Sequence, residues 1–332
     1  MRDEGVEEPT LAGVGEAGEE KEAGEAVMNV GSAEVETLTT SPRQRKQHTT
    51  ILTPDLRSPL LPPMEEFWQL TLTWQPEADQ QAQFQQLYAL TLAGNRQFNL
   101  TRITEPAEFW EKHLWDSLRG VRRFLKERSA VSDQRSTVEA GAAEEAVKPQ
   151  NSSYPSPLSP LPSLKVIDIG TGAGFPGLPV AIAQPNWSVT LLDATRKKIT
   201  FIDQVLAHMG LTNATTLVER VERVGQQRLR RQSYDLALIR AVAAATVCAE
   251  YALPLLKVGG SAVLYRGQWT DAETADLESA VAVLGGKIDS IEAFTTPLTQ
   301  GDRHCIYVKK IAPTPNEFPR AIGIPAQKPL GS

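Results

Sequence analysis

Residues 168–177 read DIGTGAGFPG and begin within the β-rich run LKVIDIG that starts at Leu164. Gly170, Gly172 and Gly174 lack the side chains that would hold a nucleotide-like ligand away from the backbone, and the residues behind them open a helix. A tight strand-to-helix turn with no ligand has the same appearance, so the residues around it must decide. Asp193 ends the next β-rich run, SVTLLD. A carboxylate there suits both hydroxyls of an adenosine ribose, and it also suits the N-cap of the helix that follows.

Working outward, β-rich runs alternate with helical segments, the signature of a mainly parallel sheet in an α/β fold. LKVIDIG, SVTLLD, ATTLVER, YDLALIR, SAVLYRG, IDSIEAFTT and HCIYVKK make seven strands. Only a short loop with Gly301 and Asp302 separates the last two, so they pair antiparallel at the sheet edge. Upstream, Phe84, Leu87, Tyr88 and Leu92 mark an amphipathic helix, and PAEFWEKHLWDSLRGVRRFLKE continues with Pro106 in its first turn. The expected organisation is an acidic disordered extension over 1–62, a helical cap over 64–127, a low-complexity insertion over 128–162, a catalytic-type α/β domain over 163–311 and an extended basic tail over 312–332. Proline is too frequent in that tail for helix or central strand.

Composition narrows the function classes. The chain has 332 residues and a net charge of −6. Its first forty residues carry eleven Asp/Glu against Arg2 and Lys21, which leaves a mildly basic body that permits nucleic acid as a partner. The longest apolar run, Ala237 to Leu256, is broken by Arg240, Glu250 and Pro254, so no membrane span is expected. The acidic start argues against a secretory or organellar leader. Two cysteines, Cys248 and Cys305, without a CxxC, suit a reducing cytoplasm. The four histidines are scattered without ligand spacing, so no metal is expected.

Two cofactors share ribose recognition, a dinucleotide and S-adenosylmethionine. Asp168, two positions before the first glycine, suits the amino group of a methionine moiety and disfavours a pyrophosphate. The antiparallel finish of the sheet, the lack of a substrate domain and the lack of a hydride-transfer His or Tyr-Lys pair point the same way. S-adenosylmethionine is the better ligand. A dinucleotide-dependent oxidoreductase and a non-enzymatic RNA-binding module remain the alternatives.

DIGTGAGFPG, LLDATRKKITFIDQV, the turn ERVE and LALIRAVA resemble the bacterial 16S rRNA guanine-N7 methyltransferases of the RsmG family, also called glucose-inhibited division protein B. The resemblance extends to Asn95–Thr101, Lys112–Ser117, Gly301–His304 and Phe318–Arg320, over roughly residues 66–127 and 163–330. It implies a class I S-adenosylmethionine-dependent, Rossmann-like methyltransferase fold: a seven-stranded sheet with an antiparallel last strand and an N-terminal helical cap. It implies that Gly170 and Phe175 line the methionine and adenosine channel, that Asp193, Ala194 and Thr195 meet the ribose and adenine edge, that Val221 and Glu222 contact the adenine, and that Arg240 faces the reacting centre. The reaction implied is methylation at N7 of guanine 527, in the 530 loop of 16S rRNA, within the small subunit or an assembly intermediate. A monomeric enzyme in the cytoplasm is expected. Arg266-Gly267 stands where the family often has Lys-Gly, and a cationic RNA contact survives that exchange.

The residues agree with such chemistry through what they lack. After the fourth strand, Ile239-Arg240-Ala241-Val242 supplies neither the Asn/Asp-Pro-Pro-aromatic turn used on exocyclic amines nor the Cys nucleophile used on pyrimidine C5. Guanine N7 needs neither, since its lone pair lies in the ring plane and carries no proton. His113, Asp116 and Ser117 share one helix face and are the substrate-side candidates, with a His113–Asp116 bond as the self-satisfied alternative. Arg240, His113 and Asp116 are thus the catalytic candidates. RNA contacts are expected from Arg196, Lys197 and Lys198 at a helix start, from Arg266, and from Arg303, Lys310 and Arg320 near the tail, although each charge also fits a solvated face.

Overall fold

The computed structural model describes residues 58–125 and 163–331. The extension expected over 1–62, except its last residues, and the insertion expected over 128–162 lie outside the described residues. Within that extension Leu61 is already buried, and its N–H donates to Gln85 Oε1 at 2.7 Å, so packing begins slightly earlier than composition suggests.

Helices α1 (Glu65–Leu72), α2 (Ala78–Phe98), α3 (Pro106–Phe109) and α4 (116–125) precede the sheet, with a π-helical turn, Trp110–Trp115, joining α3 to α4. Then come β1 (Lys165–Ile169), α5 (Gly177–Ala183), β2 (Ser188–Asp193), α6 (Arg196–Met209), β3 (Ala214–Val218), α7 (Val221–Gln226) and β4 (Tyr234–Arg240). The chain continues through α8 (Ala245–Ala252), β5 (Leu256–Arg266), α9 (Asp271–Val283), β6 (Gly286–Thr295), β7 (Asp302–Lys310) and α10 (Ile324–Gln327). The seven expected strands are all present, in the order β3-β2-β1-β4-β5-β7-β6. The last strand is antiparallel to both its neighbours, but it is not the edge: β7 inserts between β5 and β6 and leaves β6 outermost. A strand at that place gains two ladders where an edge strand gains one. The tail departs from a purely extended course in the single turn of α10, where Pro325 sits in the first turn and therefore breaks no helical bond.

Strand side chains alternate between two apolar layers, as a pleat requires. Val166, Leu191, Leu236, Leu238 and Val263 face α5, α6 and the cap, while Ile167, Ile169, Leu192, Ile239 and Leu264 face α8 and α9. The cap shares the first layer. Trp68 and Trp110 meet edge-on at 4.9 Å, and Tyr88 and Phe109 lie 4.7 Å apart within the same cluster. Polar ties cross the seam as well: Gln80 Nε2 donates to the Ile182 and Ala183 carbonyls, both at 3.1 Å, and the Tyr265 hydroxyl donates to the Ser117 carbonyl at 2.8 Å.

Gly120 is where α4 comes closest to β5, since a Cβ there would lie 2.2 Å from Tyr265 Cζ. Gly120→Val is expected to destabilise the protein by about 1–3 kcal/mol through overpacking, read as a lower urea midpoint at constant slope. An unchanged midpoint would show that the seam between cap and sheet is loose.

Candidate active site

The strand order reverses between β1 and β4, and the crevice outside the carboxyl ends of strands at such a switch point is where open α/β sheets take ligands. Three turns meet there. In the first, Gly170 N–H and Thr171 N–H both donate to the Leu192 carbonyl, at 2.8 and 2.9 Å, which bends the chain away from β1 over the end of β2. Asp168 braces this turn from inside: its Oδ2 accepts from Thr171 Oγ1 at 2.6 Å and from Gly177 N–H, at the start of α5, at 2.8 Å. Complete burial raises its pKa to about 6 despite those hydrogen bonds and the nearby Arg240. Gly170 has φ +71°, and a Cβ there would stand 2.6 Å from Val242 Cγ2, on the turn after β4. The third turn supplies Asp193, whose Oδ1 accepts from Thr195 N–H at 2.8 Å and whose Oδ2 accepts from Gly172 N–H at 3.0 Å.

These turns enclose a cavity of about 390 Å³. Gly170, Asp193, Ala194, Thr195, Val221 and Glu222 line it, as expected from the sequence, together with Leu192, Lys198, Ala241, Tyr251 and Ala326. Glu222 is 2% exposed; its Oε1 accepts from Gly323 N–H and from Arg220, each at 3.1 Å, while Oε2 has no partner. Burial works to raise its pKa, but the hydrogen bonds from its own N–H, Gly323 and Arg220 prevail and hold it below the usual carboxylate range. An acceptor aimed from a buried wall, a second carboxylate at the end of β2 and apolar faces from Leu192, Val221 and Tyr251 fit an adenosine with its ribose hydroxyls and amino edge. The residues present therefore fit S-adenosylmethionine.

Five residues expected at the cofactor do not line that cavity, and one of them, Arg240, lies on a neighbouring cavity instead. Asp168 is fully buried: its Oδ2 braces the turn, and its Oδ1 has no hydrogen-bond partner. Gly172 and Gly174 shape the turn. Phe175 is 5% exposed because its ring stacks on His113 at 4.4 Å and meets Phe109 edge-on at 5.7 Å, which carries it into the seam with the cap.

A second cavity, about 630 Å³, shares Ala241 with the first and is lined by Lys112, His113, Asp116, Arg240, Arg266 and Arg303, among others. Arg240 Nη1 donates to Asp116 Oδ2 at 2.7 Å and to the Lys112 carbonyl at 2.8 Å, so the end of β4 is tied to the cap. Asp116 is therefore paired with Arg240 and not with His113. His113 Nε2 instead meets Thr101 Oγ1 at 2.9 Å, within the Asn95–Thr101 stretch. Burial, helped by Arg240 and Lys112, lowers the His113 pKa to about 3, so the ring is neutral across the physiological range. Ser117 does not share the open face. It is fully buried and donates to the His113 carbonyl four residues back.

The cations expected to meet RNA divide by burial. Arg196 and Lys197 are exposed at the start of α6, and Lys198 is half-buried with its ammonium 3.5 Å from Asp193. Arg266 and Arg303 sit on the second cavity, with Arg266 Nη1 donating to the Ala243 carbonyl at 2.7 Å. Lys310 is a correction: it is fully buried, and its ammonium donates to the Leu253 and Leu256 carbonyls, both at 2.8 Å. Arg320 is half-buried, and its guanidinium is engaged by the buried Glu250 carboxylate, with Nη2 to Oε2 at 2.6 Å. Sequence reasoning missed Tyr251, Ala326 and Glu273; they reach the cavities from α8, α10 and α9, and no local pattern marks them. Among the described residues no group of three or more His, Cys, Asp or Glu is arranged to hold a metal ion, and no helix is long and apolar enough to cross a membrane.

A family model described as rRNA small subunit methyltransferase G matches residues 80–136 and 153–306. The chain belongs to this family. Curated relatives of the same name agree along nearly their whole length: that of Trichormus variabilis is 57% identical over 271 residues, covering 82% of this chain and 99% of the relative. The relative from Nostoc punctiforme is 55% identical over the same span, again 82% of this chain and 99% of its own. Membership in the rRNA small subunit methyltransferase G family accounts for motifs on both sides of the glycine-rich turn, including the cap residues that carry His113 and Asp116.

The neutral His113 has a consequence for stability. An unfolded His titrates near 6.5, so as pH falls from there toward 3 the unfolded chain takes up a proton that the folded chain refuses. Stability that is complete above 6.5 is lost across this window, by at most about 1.4 kcal/mol per pH unit. His113→Gln should show a shallower fall between pH 6.5 and 4 in chemical denaturation. Parallel curves for parent and variant would rule out a buried neutral ring.

Proposed function

We propose that this chain carries out the S-adenosylmethionine-dependent methylation of 16S rRNA at N7 of guanine 527 in the 530 loop, as a monomer in the cytoplasm, acting on the small subunit or an assembly intermediate. The observation that carries the reading is the meeting of two cavities at Ala241, one walled by ribose-type and adenine-type acceptors and the other ringed by cations. When bound, S-adenosylmethionine supplies a methyl group on a sulfonium, and its transfer leaves a thioether and a cationic N7-methylguanine.

Gly170, Asp193, Ala194, Thr195, Val221 and Glu222 hold the cofactor, and Asp168, Gly172, Gly174 and Phe175 support the turn that they flank. Arg240, clamped by Asp116 and the Lys112 carbonyl, stands at the junction and orients the base. No side chain need donate or take a proton, because N7 carries none. This agrees with the two groups nearest the junction that resemble acid-base residues: His113 is neutral but too weakly basic to act at neutral pH, and Asp116 is committed to an arginine. The rate advantage then comes from alignment and water exclusion, to which the Phe175–His113 stack contributes by keeping the seam dry. Arg266 and Arg303, with Lys112, meet the phosphates around a splayed-out base, and Arg196, Lys197 and Lys198 extend the cationic face.

Incubating 16S rRNA with the purified chain and S-adenosylmethionine, then cleaving at N7-methylguanine, should give a single stop at guanine 527. Methyl transfer to another atom or to another loop would overturn the assignment. Asp193→Ala should weaken cofactor binding by about 1.5–3 kcal/mol, roughly ten- to a hundredfold, through loss of a charge-assisted hydrogen bond. Unchanged affinity by calorimetry in a folded variant would remove Asp193 from the ribose.

A further inference from the structure

The chain beyond β7 returns to the cofactor cavity under unusually many restraints. Arg231 donates to the Phe318, Thr314 and Pro315 carbonyls at 2.6, 2.8 and 2.9 Å. Gln226 Nε2 donates to the Pro319 carbonyl at 2.8 Å, and Pro319 fills the place where a side chain on Gly225 would stand, with Cγ 2.6 Å from the missing Cβ. Both Gln226 and Gly225 belong to α7, the short helix whose first residues are Val221 and Glu222. Arg320 then pairs with Glu250, a carboxylate with no exposure at all. An ion pair whose carboxylate is fully buried is a poor source of net stability but an effective way to fix register, because any slip leaves that charge unpaired in the interior. With the register fixed, Gly323 N–H falls on Glu222 Oε1 and Ala326 falls on the cavity wall.

We propose that residues 314–327 form a positioning strap for the cofactor: Arg320–Glu250 sets its register, Gly323 aims Glu222, and Ala326 closes the outer wall. None of these residues touches the reacting atoms, so they are positioning residues whose effect appears in cofactor affinity. The inference rests on the seating of S-adenosylmethionine in this cavity. It also gives the tail a role in place of the RNA contact its charges suggest.

Calorimetry with S-adenosylhomocysteine on the full chain tests it without turnover. Ala326 is exposed, so Ala326→Trp should leave the thermal midpoint of the free protein unchanged while weakening binding about tenfold or more. Arg320→Gln should lower the midpoint by stranding the Glu250 carboxylate, and adding Glu250→Gln should restore the midpoint without restoring affinity. Parental affinity in Ala326→Trp, or full recovery of affinity in the double variant, would overturn the strap while leaving the seating intact. If the parent itself fails to bind S-adenosylhomocysteine, the seating falls and the strap falls with it. Should the double variant fail to fold, Ala326→Trp decides alone.

Discussion

One buried carboxylate holds the glycine-rich turn in place. Asp168 has no exposure, yet it accepts from Thr171 Oγ1 and from the N–H of Gly177 at the mouth of α5, where unpaired backbone N–H groups favour negative charge. Without that acceptor the first N–H of α5 and the Thr171 hydroxyl would be buried and unpaired, and the turn would have no reason to keep its path over the end of β2. The position of the turn sets the position of Gly170, and Gly170 sets how closely the β4 turn approaches through Val242. The cavity is therefore bounded by three turns that depend on one another. The raised pKa of Asp168 is the consequence of putting a carboxylate where water cannot reach it.

The second dependence runs between the cap and the sheet. Arg240 ends β4, the strand next to the switch point, and its guanidinium reaches Asp116 and the Lys112 carbonyl across the seam. A parallel sheet alone offers only strand ends and turns at this place; the cap adds a wall that carries His113, Lys112 and Asp116. These residues lie on or beside the π-helical turn, and Lys112, His113 and Asp116 line the cavity. Such turns occur frequently at functional sites, where a regular helix would present the wrong side chains. Shared apolar packing through Trp68, Trp110, Tyr88 and Phe109 keeps that wall rigid.

Charge does not identify function until burial is known. Lys310 and Arg320 read as cations of a basic tail, but the first satisfies two carbonyls in the interior and the second neutralises Glu250. Arg266 and Arg303 look no different along the chain, and they remain at the cavity wall. Carbonyls at the end of a helix and a buried carboxylate also take up cations, and a linear sequence cannot show which acceptor a given cation will meet.

The sequence by itself determined the layer architecture, because strand periodicity and glycine placement are local: all seven strands, the turn after β1 and the carboxylate at Asp193 were legible in it. It also determined family membership, since motifs such as Asn95–Thr101 and Lys112–Ser117 recur in order along the chain. Only the tertiary structure decided which partner each polar group found. Asp116 chose Arg240 over the nearby His113, Phe175 turned into the seam and away from the cavity, and β7 entered the sheet between β5 and β6. It also brought Tyr251 and Ala326 to the cavity from helices distant in sequence. The physical reason is common to these cases: backbone preferences act over a few residues, whereas burial and pairing are settled by competition among groups that meet only after the chain has folded.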